Sequence, residues 1–503
     1  MDNLTQETLD LIKGSLGTPN DEIRKSISTA TGLVAYDLQA PAKNLYPFVT
    51  PIRNRMPRVG GGTGTATNWR QVSAITGSGF DAMGWVPEGQ RSGRMSYTTA
   101  NKSATYVTIA EEDSITMEAI NAAKNFEDLQ ASMTFRLLQK MMLKEEMAIL
   151  AGNASILLGT PATPTVSAVT NANSTLPTAT YKVKVVALTL EGYQNSSLAG
   201  GVAVTKTVTG ADGKVFTLSG GSSNVSSESA GQAVTVSTTA LGMSTTAIQG
   251  AVAYAWYVSS AGGTGDETLQ LITTTNWAVL STALTGSRQS ATAITGDNSR
   301  NANYAYDGLL TTALASASGA YVKMMDTGTV GTGTTLTASG RGSVVEIDTM
   351  LQTMWDNYEV TPTVLYVNSQ ELKNITTKVL SNGSSPLLRY DMPGDGQNPY
   401  SLTASGVVSW YYNPFMIDGG VKIPIKLHPR VPAGTILGWA ENLPVQYQSN
   451  EVPNVAEVKV RQDYYQIDWP VITRARDVGV YAEQVLAIYA PFALGVITNI
   501  ANG

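Results

Sequence analysis

The sequence predicts an α+β fold into which a second, all-β unit has been inserted. Three observations lead there. One long amphipathic helix, residues 126–151, precedes an abrupt change in composition. From Pro161 to Asn303 only 12 of 143 residues are charged, against 60 in the other 360. Ahead of the helix, two strand-like stretches are joined by a connection much longer than hairpin norms. At 503 residues the chain has room for two or more domains.

The first sixty residues read as an arm. An amphipathic start (Leu4, Leu9, Leu11, Ile12) gives way to "LYPFVTPIRNRMPRVGGG", where Pro47, Pro51 and Pro57 forbid a long helix and favour extended chain. Tyr46, Phe48, Ile52 and Met56 then have to be covered by the protein's own body or by a neighbour. Arg53, Arg55 and Arg58 suit acidic partners or phosphates, and the proline spacing favours the former.

Next, "TNWRQVSAI" (67–75) and "SATYVTIAEE" (103–112) read as strands around a projecting loop. A two-stranded ribbon is marginal alone, so a partner is expected to steady it. The loop carries "GWVPEGQ" (84–90), with Trp85, Pro87 and Glu88 followed by Arg91 and Arg94. In the helix behind it, Phe126, Leu129, Met133, Leu137 and Met141 step by three or four, with Ala148 one heptad on. Asn125 is placed to cap it, Glu127 and Asp128 suit its first turn, and Gly152 ends it. Its length would be about 40 Å.

The charge-poor segment alternates in short runs, "TYKVKVVALTL", "QAVTVSTTAL" and "AVAYAWYVSS", punctuated by Gly and Asn. That pattern predicts a β-sandwich, and Tyr181, Val185, Trp256, Tyr257 and Trp277 supply core that a disordered linker lacks. Beyond Tyr304, residues 342–358 predict a helix with Val345, Ile347, Met350, Leu351 and Trp355 inward. Residues 362–369 predict a buried strand, and a helix starting at a serine cap follows. The flanks "LAGNAS" and "YAYDGLL" read as one short surface connection opened by an insertion, as loop tips tolerate.

Chemistry is hard to assemble from this sequence. There is no cysteine and a single histidine, His428, which between apolar residues and Pro429 reads as structural. "VGGGTGT" (59–65) lacks the Lys-Ser/Thr pair and following helix of a phosphate loop and reads as a hinge. "EED" (111–113) reads as a strand-to-helix junction rather than a cation site, and "DMPGDGQN" (391–398) lacks a calcium loop's ligand alternation. No nucleophile, base and orienting group come together, so no enzyme, cofactor or metal is expected. Net charge is −6, unlike the basic footprint of a dedicated nucleic-acid binder. No signal peptide or membrane span is read from the pattern.

In this order the pieces resemble a tailed-bacteriophage major capsid protein of the Hong Kong ninety-seven type. "GWVPEGQRSGRMSYTT…ATYVTIAEEDSI" resembles that family's projecting E-loop and its return. "NAS…YDGLL" resembles the turn after the spine helix, and "YVNSQELKNI" and "VLAIYAPFALGVITNI" resemble the axial-domain helix entry and last peripheral strand. The resemblance covers about 360 residues. It implies an arm (1–65), an E-loop ribbon (66–110), a spine helix with part of the peripheral domain (111–158), an inserted immunoglobulin- or fibronectin-III-like sandwich (159–303), and an axial domain with the rest of the peripheral domain (304–503). Function would then be self-assembly into hexamers and pentamers of an icosahedral head in the virion, enclosing double-stranded DNA held non-specifically. Partners would be other copies, with scaffolding, portal and decoration proteins, and no membrane; glycans or a host surface would suit the insert. Inter-subunit contacts would fall on Trp85, Pro87, Glu88, Arg91 and Arg94 of the E-loop and on Tyr46, Phe48, Arg53 and Arg55 of the arm. Asn101 and Lys102 lie in this E-loop but give no evidence of a cross-link. An encapsulin-like nanocompartment around a protein cargo is the alternative, and an adhesin or tail fibre a more distant third.

Overall fold

The computed structural model describes residues 47–76, 84–124, 127–339, 342–381, 408–416, 419–444 and 454–501. Tyr46, Asn125, Phe126 and the 391–398 loop lie outside them. The body is α+β, and its two larger sheets among the described residues have four and six strands. In the first, Arg58–Val59 pairs in parallel with the long strand Ala456–Asp468, which pairs antiparallel with Ala475–Ile488 and then Val107–Thr116. The second runs Tyr321–Met324, Leu494–Thr498, Ile436–Trp439, Val364–Val367, Val421–Leu427, Trp410–Asn413.

The spine helix spans Leu129–Ala151. It starts three residues later than expected because Asp128, not Asn125, caps it, accepting from the N–H of Gln130 and Ala131 at 3.1 Å. Met133, Leu137 and Met141 are buried against Val478, Val480 and Ala482, while Leu129 is half-buried. Gly152 ends the helix, its N–H bonding Ala148 O at 2.9 Å.

Helix Val345–Tyr358 lies on the second sheet. Gly438 and Gly495 face each other on adjacent strands, and the missing side chains leave a trough for Met350. A Cβ on Gly495 would sit 2.7 Å from Met350 Sδ. Ile347, Met350 and Leu351 point inward as expected, but Val345 is exposed, Trp355 is half-buried and Met354 takes the inward place. Helix Ser369–Ser381 begins at an asparagine cap rather than a serine one: Asn368 Oδ1 accepts from the Gln370 N–H at 3.1 Å.

Residues 160–303 pair their strands only with one another. A four-stranded antiparallel sheet (Ser222–Val225, Val183–Leu188, Ala253–Val258, Thr268–Thr273) packs against a three-stranded one (Trp277–Leu280, Thr239–Ser244, Thr165–Thr170). Period-two alternation is literal here. Val183, Val185 and Ala187 enter the core between the sheets with Tyr181, Leu241 and Trp256, and Val186 and Leu188 enter a second core on the opposite face. A short helix, Leu190–Asn195, breaks the expected all-strand pattern, and a hairpin of Thr205–Thr209 and Val215–Ser219 stands apart. The two ends of the segment run together: Asp307 Oδ1 accepts the N–H of Ala154 (2.8 Å) and Ser155 (3.0 Å), and Gly308 N–H bonds Gly152 O (2.9 Å).

The unit is also seated on the body. Leu190 and Val252 belong to the body's own core. Asn276 and Asn499 exchange hydrogen bonds, N–H to Oδ1 at 2.8 Å and Nδ2 to Oδ1 at 2.9 Å. Asn499 adopts φ +61° to do so, a left-handed conformation that asparagine tolerates better than most residues.

Candidate assembly interface

The ribbon consists of Ala66–Thr76 and Ser96–Thr105, paired in antiparallel register from Ala66↔Thr105 to Thr76↔Ser96. The returning strand therefore starts earlier than expected. The run 103–112 crosses two sheets: it leaves the ribbon at Thr105, Tyr106 N–H bonds Thr65 O at 3.0 Å, and Val107 starts a strand of the body. Every residue from Gly84 to Thr98 is exposed, and Trp85 retains 89% of its accessible surface. Pro87, Glu88, Gly89 and Gln90 form a turn closed by Gln90 N–H to Pro87 O at 3.1 Å, with Gly89 at φ +78°, a value that favours glycine. The sequence-predicted ribbon residues Trp85, Pro87, Glu88, Arg91 and Arg94 thus share one exposed tip.

The arm residues go elsewhere. Instead of extended chain, residues 51–56 form a helical turn, with Met56 N–H on Ile52 O at 3.0 Å. Pro51 is tolerated at its start because that N–H would be unpaired anyway. Ile52 and Met56 are buried in the body, while Phe48 and Val49 stay exposed. Arg53 and Arg55 do not face outward. Arg53 Nε meets Glu145 Oε2 at 2.6 Å, and Arg55 Nε meets Glu441 Oε1 at 2.7 Å. Arg58 bonds Glu145 and also reaches Asp463 Oδ1 at 2.5 Å.

Two adjacent spine-helix carboxylates organise this clasp, and sequence reasoning missed both. Glu145 is buried and takes Arg53, Arg58 and the Tyr464 hydroxyl. Both guanidinium groups lie over the Tyr464 ring, at 5.4 and 5.2 Å. Burial works against the charge on Arg53 and Arg58, yet Glu145 holds their pKa values above the ordinary one. Burial, and next the Glu145 charge, push the Tyr464 hydroxyl well up. Glu146 is wholly buried and accepts the backbone N–H of Ile52 (3.0 Å) and Arg53 (2.7 Å) and His428 Nε2 at 2.6 Å. Because His428 Nδ1 accepts the Arg430 N–H at 3.1 Å, the ring proton sits on Nε2 and points at Glu146. His428 is structural, as the sequence suggested, and its role is to tie the arm's anchor to the far side of the body. A signal existed: Glu145 stands four residues beyond Met141 on the same apolar stripe.

Two carboxylates of the 111–113 cluster also have partners. Glu111 pairs with Lys144, and Glu112 takes Tyr481 O–H and Trp469 Nε1–H. Among the described residues no three potential ligands gather as a metal site, and no helix is long and apolar enough to cross a membrane. In the glycine run, Gly62 N–H bonds Val460 O at 3.1 Å and Gly61 and Gly64 take positive φ.

No family model matches the chain, and no curated protein matches it. Among solved structures it is similar to the capsid of a native GTA particle, at 7% identity over 95% of this chain and 99% of that one, TM-score 0.41. It is similar to a Mycobacterium phage Bobi structure, at 10% identity over 94% and 97%, TM-score 0.42. It is also similar to the holo-SrpI encapsulin complex of Synechococcus elongatus, at 8% identity over 94% of each chain, TM-score 0.38.

Proposed function

We propose that the chain is the repeating subunit of a closed shell, a tailed-phage major capsid protein built into the hexamers and pentamers of a virion head around double-stranded DNA. The observation that carries this reading is the ribbon: fifteen successive exposed residues, Trp85 among them, at the tip of a two-stranded projection that none of the described residues covers. A monomer gains nothing from such a projection, and a neighbour that covers Trp85 removes its apolar surface from water at about 25 cal/mol/Å². The clasped arm anchor supports it by giving residues before Thr50 a fixed point of departure, with Phe48 and Val49 exposed at its edge. A modestly negative chain suits a wall that holds DNA without specific grip. Scaffolding, portal and decoration proteins are the partners such a shell calls for, and the insert offers a platform for glycans or a host surface.

Electron microscopy and light scattering on the purified chain test the reading. Shells or capsomers are expected, and Trp85→Ala weakens assembly while the thermal transition stays in place. A stable monomer or trimer with no tendency to form shells overturns it. Small uniform shells that hold a protein cargo replace the phage head with a nanocompartment.

A further inference from the structure

One ion pair within residues 160–303 differs from the other lysine pairs of the described chain. Lys184 Nζ lies 3.0 Å from Glu267 Oε2. The Glu267 side chain has no exposed surface, whereas the carboxylates paired with Lys144, Lys182, Lys214 and Lys459 all keep some. Despite the contact, Oε2 enters no hydrogen bond among the described residues. A second carboxyl group stands beside it. Gly265 N–H is shared by Glu228 Oε1 at 3.2 Å and Glu267 Oε1 at 3.3 Å, and the two carboxyl groups lie within hydrogen-bonding reach of each other. Lys182 Nζ holds Glu228 from its other oxygen at 3.1 Å. An amine touching a buried carboxyl, with a second carboxyl alongside to carry a proton, is the arrangement that amide formation needs.

We propose that Lys184 and Glu267 join as a side-chain amide, with Glu228 relaying the proton. Proton transfer inside the ion pair turns ammonium and carboxylate into amine and carboxylic acid. The amine nitrogen attacks Glu267 Cδ. Glu228 takes the proton that the nitrogen sheds and delivers it to the departing hydroxyl, so one water leaves for each C–N bond formed. Nothing is oxidised or reduced, and Glu228 ends as it began. Burial favours the step twice. Both reacting groups lose a charge that is costly to hold away from water, and excluded water does not hydrolyse the product. In the four-stranded sheet, Ala253–Val258 lies between Val183–Leu188 and Thr268–Thr273, and Lys184 and Leu269 both pair with Tyr257. The amide therefore straps the two flanking strands together across the middle one. It gives a chain with no cysteine the covalent tie that a disulfide supplies, and it constrains the unfolded chain in the same way. The inference concerns residues 160–303 alone and stands apart from the shell reading.

Intact mass spectrometry of the full chain tests it. A mass lighter by one water is expected, and digestion should give a branched peptide joining the residues around Lys184 to those around Glu267, with no tryptic cut after Lys184. Lys184→Arg keeps a cation beside Glu267 but cannot form the amide, and should restore the full mass. Glu228→Gln keeps an acceptor for Gly265 N–H and removes the relay. It should slow amide formation about a hundredfold, seen as full-mass chain in freshly made protein. An unsubstituted chain of full mass after days at neutral pH, yielding separate Lys184 and Glu267 peptides, overturns the proposal. So does a water deficit that persists in Lys184→Arg. Equal rates in Glu228→Gln and the unsubstituted chain overturn the relay.

Discussion

Glu145→Ala tests the clasp most directly. The substitution leaves the guanidinium groups of Arg53 and Arg58 and the hydroxyl of Tyr464 without their shared acceptor. Removing one partner from a buried ion pair typically costs about 3–5 kcal/mol, and burial of Glu145 places it in that class. Arg58 keeps Asp463 and Arg53 keeps its backbone bond to Glu146, so about 3 kcal/mol is the better expectation. With an unfolding entropy of about 2.1 cal/mol/K per residue over about 360 residues, 3–5 kcal/mol lowers Tm by about 4–7 °C. Calorimetry reads that shift. Limited trypsin digestion reads its location, because cleavage after Arg53, Arg55 and Arg58 becomes fast once the anchor lifts. A Tm change below about 1 °C with unchanged protection at those arginines would refute the reasoning.

Burial lifts Glu371 to about 7, while its oxygens accept Gly434 N–H at 2.9 Å and Asn374 Nδ2–H at 3.2 Å. Its unfolded pKa is near 4.5, so between these values the native state binds more protons. Its stability contribution is complete below pH 4.5 and lost as pH rises through about 7, a change of about 3 kcal/mol. Denaturant melts at pH 5 and 8 should show Glu371→Gln flattening that dependence; an unaltered slope would count against it. Gly495→Ala forces Met350 aside and should cost about 1–3 kcal/mol, read as a lower denaturant midpoint with unchanged m-value. Asn499→Ala removes the partner of Asn276 and should cost about 1–3 kcal/mol, detected as increased amide exchange at residues 274–278. Replacing residues 160–303 by a Gly/Ser linker should leave a body that folds with reduced stability, since Leu190 and Val252 leave its core; a fully native Tm would show that the seating contributes nothing.

Much of this fold can be read locally and much of the interface cannot. Met133, Leu137 and Met141 announce the buried face of the spine helix because helical periodicity is a short-range property, and the alternation at Val183–Leu188 does the same for a strand. Glu145 was hidden by its charge: on an apolar stripe it looks like an interruption until Arg53, 92 positions away, is seen to meet it. Residues 103–112 alternate without a break, and only the register with residues 479–484 on one side and 66–68 on the other divides them between sheets. Caps shift by residues because Asp128 and Asn368 compete with equally plausible neighbours. The Asn276–Asn499 exchange joins positions 223 apart, and no local pattern encodes it. The exposed tip was legible as a composition, Trp, Pro, Glu and Arg between glycines, although its exposure among the described residues was not.

The seating of residues 160–303 on the body has a consequence for imaging. A bead on a flexible tether takes a different pose in every copy and fades when thousands of copies are averaged. Here two chain ends run side by side at Asp307, an asparagine exchange at the far end fixes rotation, and Leu190 and Val252 reach into the body beneath. Attachment at the chain ends, where Leu190 and Val252 also pack, and at Asn499 opposes swinging about either one alone. In the shell proposed above, averaged density for it should therefore be as sharp as for the strands it stands on, and any ligand it binds would be displayed at a spacing set by the proposed lattice of subunits.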